Sequence, residues 1–195
     1  MRVVVILAHP NPGSFNHAIA ERVVSTLRDG GHHVLLHDLY AERFSAVMTP
    51  AERLAYHSPE PVLDPLVDEH DRDIQDAEAL VFVYPTWWSS LPAILKGWFE
   101  RVMVPGVGFV FNRRHKVRPG LTNIRRMVGI STYGSPWWYV KLVNDNGRRT
   151  IQRSLRLSTG WGTRCTWLAL YGTDASTPAQ RDAFLAKVER KMRSL

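Results

Sequence analysis

The two uninterrupted apolar runs, Val3-Val4-Val5-Ile6-Leu7 and Ala79-Leu80-Val81-Phe82-Val83, most constrain what this chain can become. A strand with one wet face alternates apolar and polar residues, whereas a strand covered on both faces reads as continuous Val, Ile and Leu. Both runs are too short for a buried helix, so each predicts a strand sandwiched between two layers. Three further stretches, His33–His37, Arg126–Ser131 and Cys165–Leu170, read as companion strands. Helices fall between them. Residues 16–29 space Ile19, Val23 and Leu27 four apart and stop at Gly30-Gly31. Residues 92–102 set Leu95, Phe99 and Val102 on one stripe, and 150–157 form a possible helix with a basic face. Thr177-Pro178-Ala179-Gln180 combines an N-cap, a first-turn proline and a capping-box glutamine ahead of Phe184, Val188 and Met192. Residues 41–66 and 104–123, rich in Pro and Gly, are the least regular. Strands alternating with helices predict an α/β fold: a three-layer, doubly wound parallel sheet with right-handed crossovers.

Composition narrows the class. At 195 residues the chain suits one domain, read as 1–195. One cysteine, Cys165, rules out an internal disulfide framework and a Cys-based zinc cluster, and it suits a reducing, cytoplasmic setting. The apolar opening is shorter than the about 7–15 residues of a signal-peptide core, and no run approaches the roughly 20 that span a membrane. The net charge of +7 is unevenly placed, because residues 113–164 hold twelve Lys and Arg against the single carboxylate Asp145. Such a block suggests an anionic partner, with a solvated arginine surface as the plain alternative. No zinc-finger spacing, basic zipper or RNA-binding consensus accompanies it, which disfavours nucleic acid.

In a doubly wound sheet the ligand sits outside the carboxyl ends of the strands, where the strand order switches. Three segments therefore carry the functional candidates. The first, Ala8 to Asn16, is a Pro-, Gly- and Asn-rich loop running straight into a helix. Free backbone N–H groups there, with Ser14 and Asn16 as added donors, form an anion site, although Ser14 could equally be an ordinary N-cap. The second, Tyr84 to Pro92, holds Trp87 and Trp88, whose flat faces suit stacking beside an aromatic ligand or sealing the core or a subunit interface. The third, Ser131 to Tyr139, repeats small polar groups followed by aromatics. Together they describe a planar, phosphorylated cofactor. The histidines form no metal-ligand pattern and read as surface or strand-end residues, so no metal is expected.

The segments AHPNPGSFNHAIA (8–20), HDLYA (37–41), YPTWWSSLPAILKGWFERV (84–102) and STYGS (131–135) resemble the flavodoxin-like NAD(P)H:quinone reductases, in particular short bacterial members. LPAILKGWFERV is unusually specific, and order and spacing fit over roughly residues 1–140. The resemblance implies a flavodoxin-like fold with five parallel strands in the order 2-1-3-4-5. It assigns His9, Ser14, Phe15 and Asn16 to a flavin phosphate loop, and Pro85, Thr86, Trp87, Trp88 and Ser89 to the isoalloxazine edge. Thr132, Tyr133 and Gly134 would close the pyrimidine side, and Tyr139 would be the catalytic residue facing the substrate. Asp145 stands where the family has a histidine, and a carboxylate does not titrate like an imidazole near neutral pH. The implied activity is hydride transfer from NADPH or NADH through FMN, or alternatively FAD, to a quinone-like acceptor. An azo- or nitro-compound reductase and a flavin-binding ancillary subunit of a membrane transporter are the alternatives. The implied assembly is a homodimer without membrane insertion. In that dimer the acidic run from Asp64 to Asp76 is expected to lie near arginines at 113–126 or 148–156 of either subunit.

Overall fold

The computed structural model describes residues 1–195. The chain opens with β1 (Arg2–Leu7), α1 (Phe15–Asp29), β2 (His33–Asp38), α2 (Pro50–Ala55), α3 (Pro65–Asp76) and β3 (Ala79–Pro85). It continues through α4 (Ala93–Val102), β4 (Phe109–Phe111), β5 (Val117–Pro119), β6 (Arg126–Tyr133), α5 (Trp137–Leu142) and α6 (Asn146–Arg149). A π-helical stretch (Thr150–Leu155), α7 (Arg156–Thr159), β7 (Arg164–Tyr171), a 3-10 turn (Thr173–Ala175) and α8 (Pro178–Met192) complete it.

Five strands pair in the order β2-β1-β3-β6-β7, all parallel, which is the expected 2-1-3-4-5 counted along the sheet strands. Parity divides the apolar runs between the faces. Val3, Val5, Val81 and Val83 point to α1 and α8, where they meet Ile19, Val23, Leu27, Phe184 and Val188. Val4, Ile6, Leu80 and Phe82 point to the other layer, built on Leu95, Trp98 and Val102 of α4. The α1 stripe of Ile19, Val23 and Leu27 is fully buried, and Ser14 and Thr177 cap α1 and α8 as their sequences predict.

Two stretches read as irregular contain structure. Residues 104–123 hold the antiparallel β4–β5 pair. Residues 41–66 hold α2 and the start of α3, both capped and started by proline: Thr49 forms a capping box with Glu52, and Asp64 caps α3. α3 turns Val67 and Ile74, seven residues apart, into the core beside Phe44, and buried charge adds to that packing. Arg101 of α4, almost wholly buried, donates to Glu52 Oε1 at 2.9 Å, Asp64 Oδ2 at 2.8 Å and the Ser45 carbonyl at 2.8 Å. Gly97 lets the same helix lie against the loop backbone, since a Cβ there would fall 2.2 Å from the Ala46 carbonyl oxygen.

A second buried network corrects the expectation of surface histidines. His37, at the end of β2, and His70, on α3, are both buried and stack with ring centroids 3.7 Å apart. His37 Nδ1 reaches Glu42 Oε1 and His37 Nε2 reaches Asp73 Oδ2, each at 3.1 Å. Trp98 Nε1 donates to His70 Nδ1 at 2.8 Å, so the ring proton of His70 sits on Nε2, 3.1 Å from Glu42 Oε2 but off the line of a hydrogen bond. His37, Glu42 and His70 lie close enough to suggest a metal trio, yet that proton occupies the lone pair a metal would need on Nε2. The acidic run is likewise paired within the chain, with Arg101, Arg72 and Arg2 rather than with the arginines of 113–126 or 148–156.

Removing one member of a buried ion pair strands the other, so Arg101→Leu is expected to lower unfolding stability by about 3–5 kcal/mol in urea titrations. The exposed Lys96→Ala should cost under about 1 kcal/mol. The His37 network predicts a pH signature. Burial alone would lower the His37 pKa, but the hydrogen bond and charge of Glu42, followed by Asp73, outweigh it and hold it above the ordinary value. Burial pushes Glu42 up, but its hydrogen bond to His37 and the His70 ring beside it outweigh that and hold it down. The stabilisation from His37 is therefore complete below about pH 6.5 and lost as pH rises through its raised pKa; that from Glu42 is lost only in acid, below about pH 4.3. Wild-type stability should fall from pH 6 to pH 9 relative to His37→Gln, measured by denaturant midpoints. Parallel curves for the two proteins would refute a charged His37.

Candidate functional site

The chain leaves β1 toward β2 on one side and returns to β3 on the other, so the loops after β1 and β3 diverge and open a crevice. A cleft of about 750 Å3 occupies it, lined by the ends of β3 and β6 and by α5. It brings together His9, Pro85, Thr86, Trp87, Trp88, Ser89, Thr132, Tyr133, Gly134 and Tyr139. Ser14, Phe15 and Asn16 lie outside its walls at the start of α1, joined to it by Asn16 Nδ2, which donates to Thr132 Oγ1 at 3.0 Å. Ser135, Val140, Val143, Asp145 and Asp174 also line the cleft. Asp174 comes from the turn after β7, a region whose sequence carries no site pattern.

Each loop contributes in a way that side-chain type alone does not reveal. Ser14 Oγ accepts the His17 N–H at 3.3 Å and contacts His17 Nδ1 at 3.0 Å, while His17 Nε2 reaches Asp38 Oδ2 at 3.1 Å. The Ser14 hydroxyl is thus engaged in capping rather than free for an anion. Phe15 turns its ring away, to Phe184 and beneath Arg181. What remains open at the head of α1 is backbone: Phe15 and Asn16 N–H donate to no protein acceptor. Asn16 Oδ1 is buried and unpartnered. Burial, with His17 nearby, holds the His9 pKa below the usual imidazole value, and its Nδ1 accepts from Asn11 N–H at 3.1 Å.

After β3, Thr86 N–H is taken by the Thr132 carbonyl at 2.7 Å, and Trp87 and Ser90 exchange backbone bonds at 3.2 and 3.0 Å. Between them Trp88 and Ser89 both adopt left-handed backbone, with φ of 46° and 59°. Consecutive non-glycine residues in that region are strained and recur at functional sites. Their N–H groups have no protein partner. The turn throws the Trp88 side chain fully into solvent, which removes it from any role in sealing the core. Trp87 stays over the cleft, its ring 5.9 Å from that of His9.

After β6, the Gly134 N–H is free. Tyr133 is nearly buried, stacks on Tyr171 at 4.8 Å and donates its hydroxyl to Asp145 Oδ1 at 2.9 Å. Burial, reinforced by the Asp145 charge and hydrogen bond, drives its pKa far above the usual phenol range, so it remains a neutral donor. Tyr139, half exposed on α5, lines the cleft with its hydroxyl free of any protein hydrogen bond. Asp145, itself buried and left-handed with φ 48°, closes this wall.

Residues 1–194 match the family described as having the flavodoxin-like fold. The chain is 34% identical over 155 residues to NAD(P)H dehydrogenase (quinone) 1 of Cavia porcellus, covering 71% of this chain and 55% of that protein. It is 30% identical over 214 residues to ribosyldihydronicotinamide dehydrogenase (quinone) of Mus musculus, covering 100% of this chain and 91% of the relative. The solved NAD(P)H:quinone oxidoreductase from Methanothermobacter marburgensis superposes with a TM-score of 0.83 at 27% identity, covering 99% of this chain and 98% of that one. With the guinea-pig and rat quinone dehydrogenases, the match spans only about half of the relative, 55% and 56%.

Proposed function

This chain belongs to the flavodoxin-like NAD(P)H:quinone reductase family, and from that premise we propose that its cleft seats a flavin and that it passes hydride from NADPH or NADH to a quinone or a related small aromatic acceptor. The observation that carries this reading is the set of unpaired backbone donors in and next to one cleft: those of Trp88, Ser89 and Gly134 in its walls, and those of Phe15 and Asn16 just outside them at the head of α1. Such donors, fixed in place before a ligand arrives, suit a planar group that gains negative charge. The buried, unpartnered Asn16 Oδ1 beside the latter pair supports an occupant for that end.

A bound flavin would supply the hydride-carrying chemistry; the protein's part is binding and electrostatics. The open N–H pair at the head of α1 suits a single terminal phosphate, which favours FMN over FAD. Trp88, Ser89 and Gly134 N–H would hold the ring edge, with Thr86 and Trp87 contributing through the turn they brace rather than through their own N–H groups. Tyr133 cannot act as a proton source at neutral pH, because its proton stays bonded to Asp145. Tyr139 lines the cleft with a hydroxyl that has no protein partner, which fits it to orient the acceptor.

The rim of the cleft exposes Trp88, Trp137, Trp138 and Leu142. Aromatic residues at the mouth of a site favour a homodimer that covers them, with two-fold symmetry. No helix is long and apolar enough to cross a membrane. The free Cys165 fits a reducing cytoplasm. We read residues 1–195 as one flavodoxin-like domain.

The deciding experiment is the absorbance of the purified protein in the flavin bands, the mass of the released cofactor and NAD(P)H-dependent quinone reduction. A colourless protein that neither takes up FMN nor turns over would overturn the assignment. Ser14→Asp keeps a good N-cap but sets a carboxylate beside the proposed phosphate. Unit charges about 4 Å apart repel by roughly 1–4 kcal/mol, so FMN affinity should fall about ten-fold or more in a protein that still folds. Tyr139→Phe should raise the KM for quinone or slow the oxidative half-reaction with flavin content unchanged. Stopped-flow traces matching wild type in both half-reactions would remove Tyr139 from the site. Sedimentation should report a dimer.

A further inference from the structure

Beside the main cleft lies a second cavity of about 220 Å3 with no apolar lining, formed chiefly by Lys141, Arg148, Arg149 and Arg153. Asp145 is a wall of both cavities. The backbone accounts for this placement. Asn144 and Asp145 are consecutive left-handed residues, with φ of 76° and 48°, and they fold the chain back so that 146–155 runs alongside the cleft. The stretch from Thr150 to Leu155 is π-helical, a rare geometry that recurs at functional sites.

The charges are not equivalent. Asp145 Oδ2 lies 3.1 Å from Lys141 Nζ and 4.0 Å from Arg148 Nη1, and Arg148 Nε donates to Gln152 Oε1 at 2.8 Å. Those two cations are oriented by the protein. Arg149 and Arg153, four residues apart on one helical face, make no ion pair and no side-chain hydrogen bond, and both are exposed. Two uncompensated guanidinium groups at the edge of a concave site are matched by a tetrahedral dianion, which each fork engages through paired N–H donors.

Resting on the reading of that cleft as the nicotinamide donor's site, we propose that the basic cavity takes the 2′-phosphate of NADPH, with Arg149 and Arg153 as its specificity-determining residues. NADH carries a hydroxyl there and gains nothing from them. The preference should narrow as salt rises, because exposed charges are screened over about 8 Å at physiological ionic strength.

The test uses the flavin-loaded protein and two readouts. In calorimetry, wild type should bind adenosine 2′,5′-bisphosphate about ten-fold or more tightly than ADP, and Arg149→Gln/Arg153→Gln should erase that margin, as loss of charge-assisted bonds implies. In steady state the same variant should raise the KM for NADPH by about ten-fold and leave kcat with NADPH near wild type. Equal binding of the bisphosphate and ADP by wild type would overturn the proposal. So would a variant that weakens ADP and the bisphosphate alike, which would make the cavity a general phosphate site. A protein that prefers the bisphosphate but oxidises neither nucleotide would refute the reductase reading and leave this site standing; brisk, equal use of NADH and NADPH, untouched by the substitutions, would do the reverse.

Discussion

The pairing of β1 with β3 at the centre of the sheet is the constraint on which the rest of this structure depends. From Val3 opposite Ala79 to Leu7 opposite Val83, every residue of the ladder is buried, and successive side chains feed opposite layers. Neither strand has a face or an edge left for water. Both layers of helices must therefore be present, and the polar groups of the chain are pushed to the strand ends. The chain goes out from β1 to one side and comes back to β3 on the other, so the two loops cannot cover the gap between them. The cleft follows from topology before any particular side chain is considered.

What lines that gap is mostly backbone. Trp88 and Ser89, and then Asn144 and Asp145, hold left-handed conformations that cost of order 1–3 kcal/mol each for residues with a side chain. The cost is offset locally by the paired Trp87 and Ser90 bonds in the first case and by the Tyr133–Asp145 hydrogen bond in the second. The first turn leaves the Trp88 and Ser89 N–H groups without a protein acceptor, whereas in the second the Asn144 and Asp145 N–H groups donate to the Lys141 and Val140 carbonyls. Asp145 ties the arrangement together, since one carboxylate holds Tyr133 neutral on the cleft side and orients Lys141 on the other.

Charge is used in two ways. Arg101 is buried and saturated with acceptors, so it works as a clamp that fastens the 45–64 segment onto α4, whose first turn follows directly from the cleft loop. His37, between Glu42 and Asp73, performs the same service at the end of β2. Arg149 and Arg153 are the opposite case, exposed and without acceptors. A fixed cation with all its donors used stabilises a fold; one with its donors open is available to a ligand.

The five strands and the helices α1, α4 and α8 were legible in the sequence, because each rests on periodicity or capping that a short window contains; the order of the strands came from the family resemblance. Val3–Leu7 needs two covered faces wherever it is placed, and Ile19, Val23 and Leu27 define a helical stripe by spacing alone. The general location of the site was legible for the same reason, since strand ends and switch points follow from order. The roles within it were not. Ser14 reads as a phosphate ligand or an N-cap until His17, itself held by Asp38, is seen to engage it, and Trp88 reads as a stacking platform until two positive φ angles turn it outward. His37 and His70 look like scattered surface residues because the carboxylates that bury them lie on separate elements. α2 is too short to show a period, α3 buries His70 and Asp71 beside Val67 and Ile74 so that its inner face does not read as apolar, and Asp174 reaches the cleft from a turn with no pattern of its own. Local order is written in neighbouring residues and follows from backbone sterics and apolar spacing. Which donors remain free, and which charges meet, depends on groups far apart in the chain, and only the tertiary structure brings those within hydrogen-bonding distance.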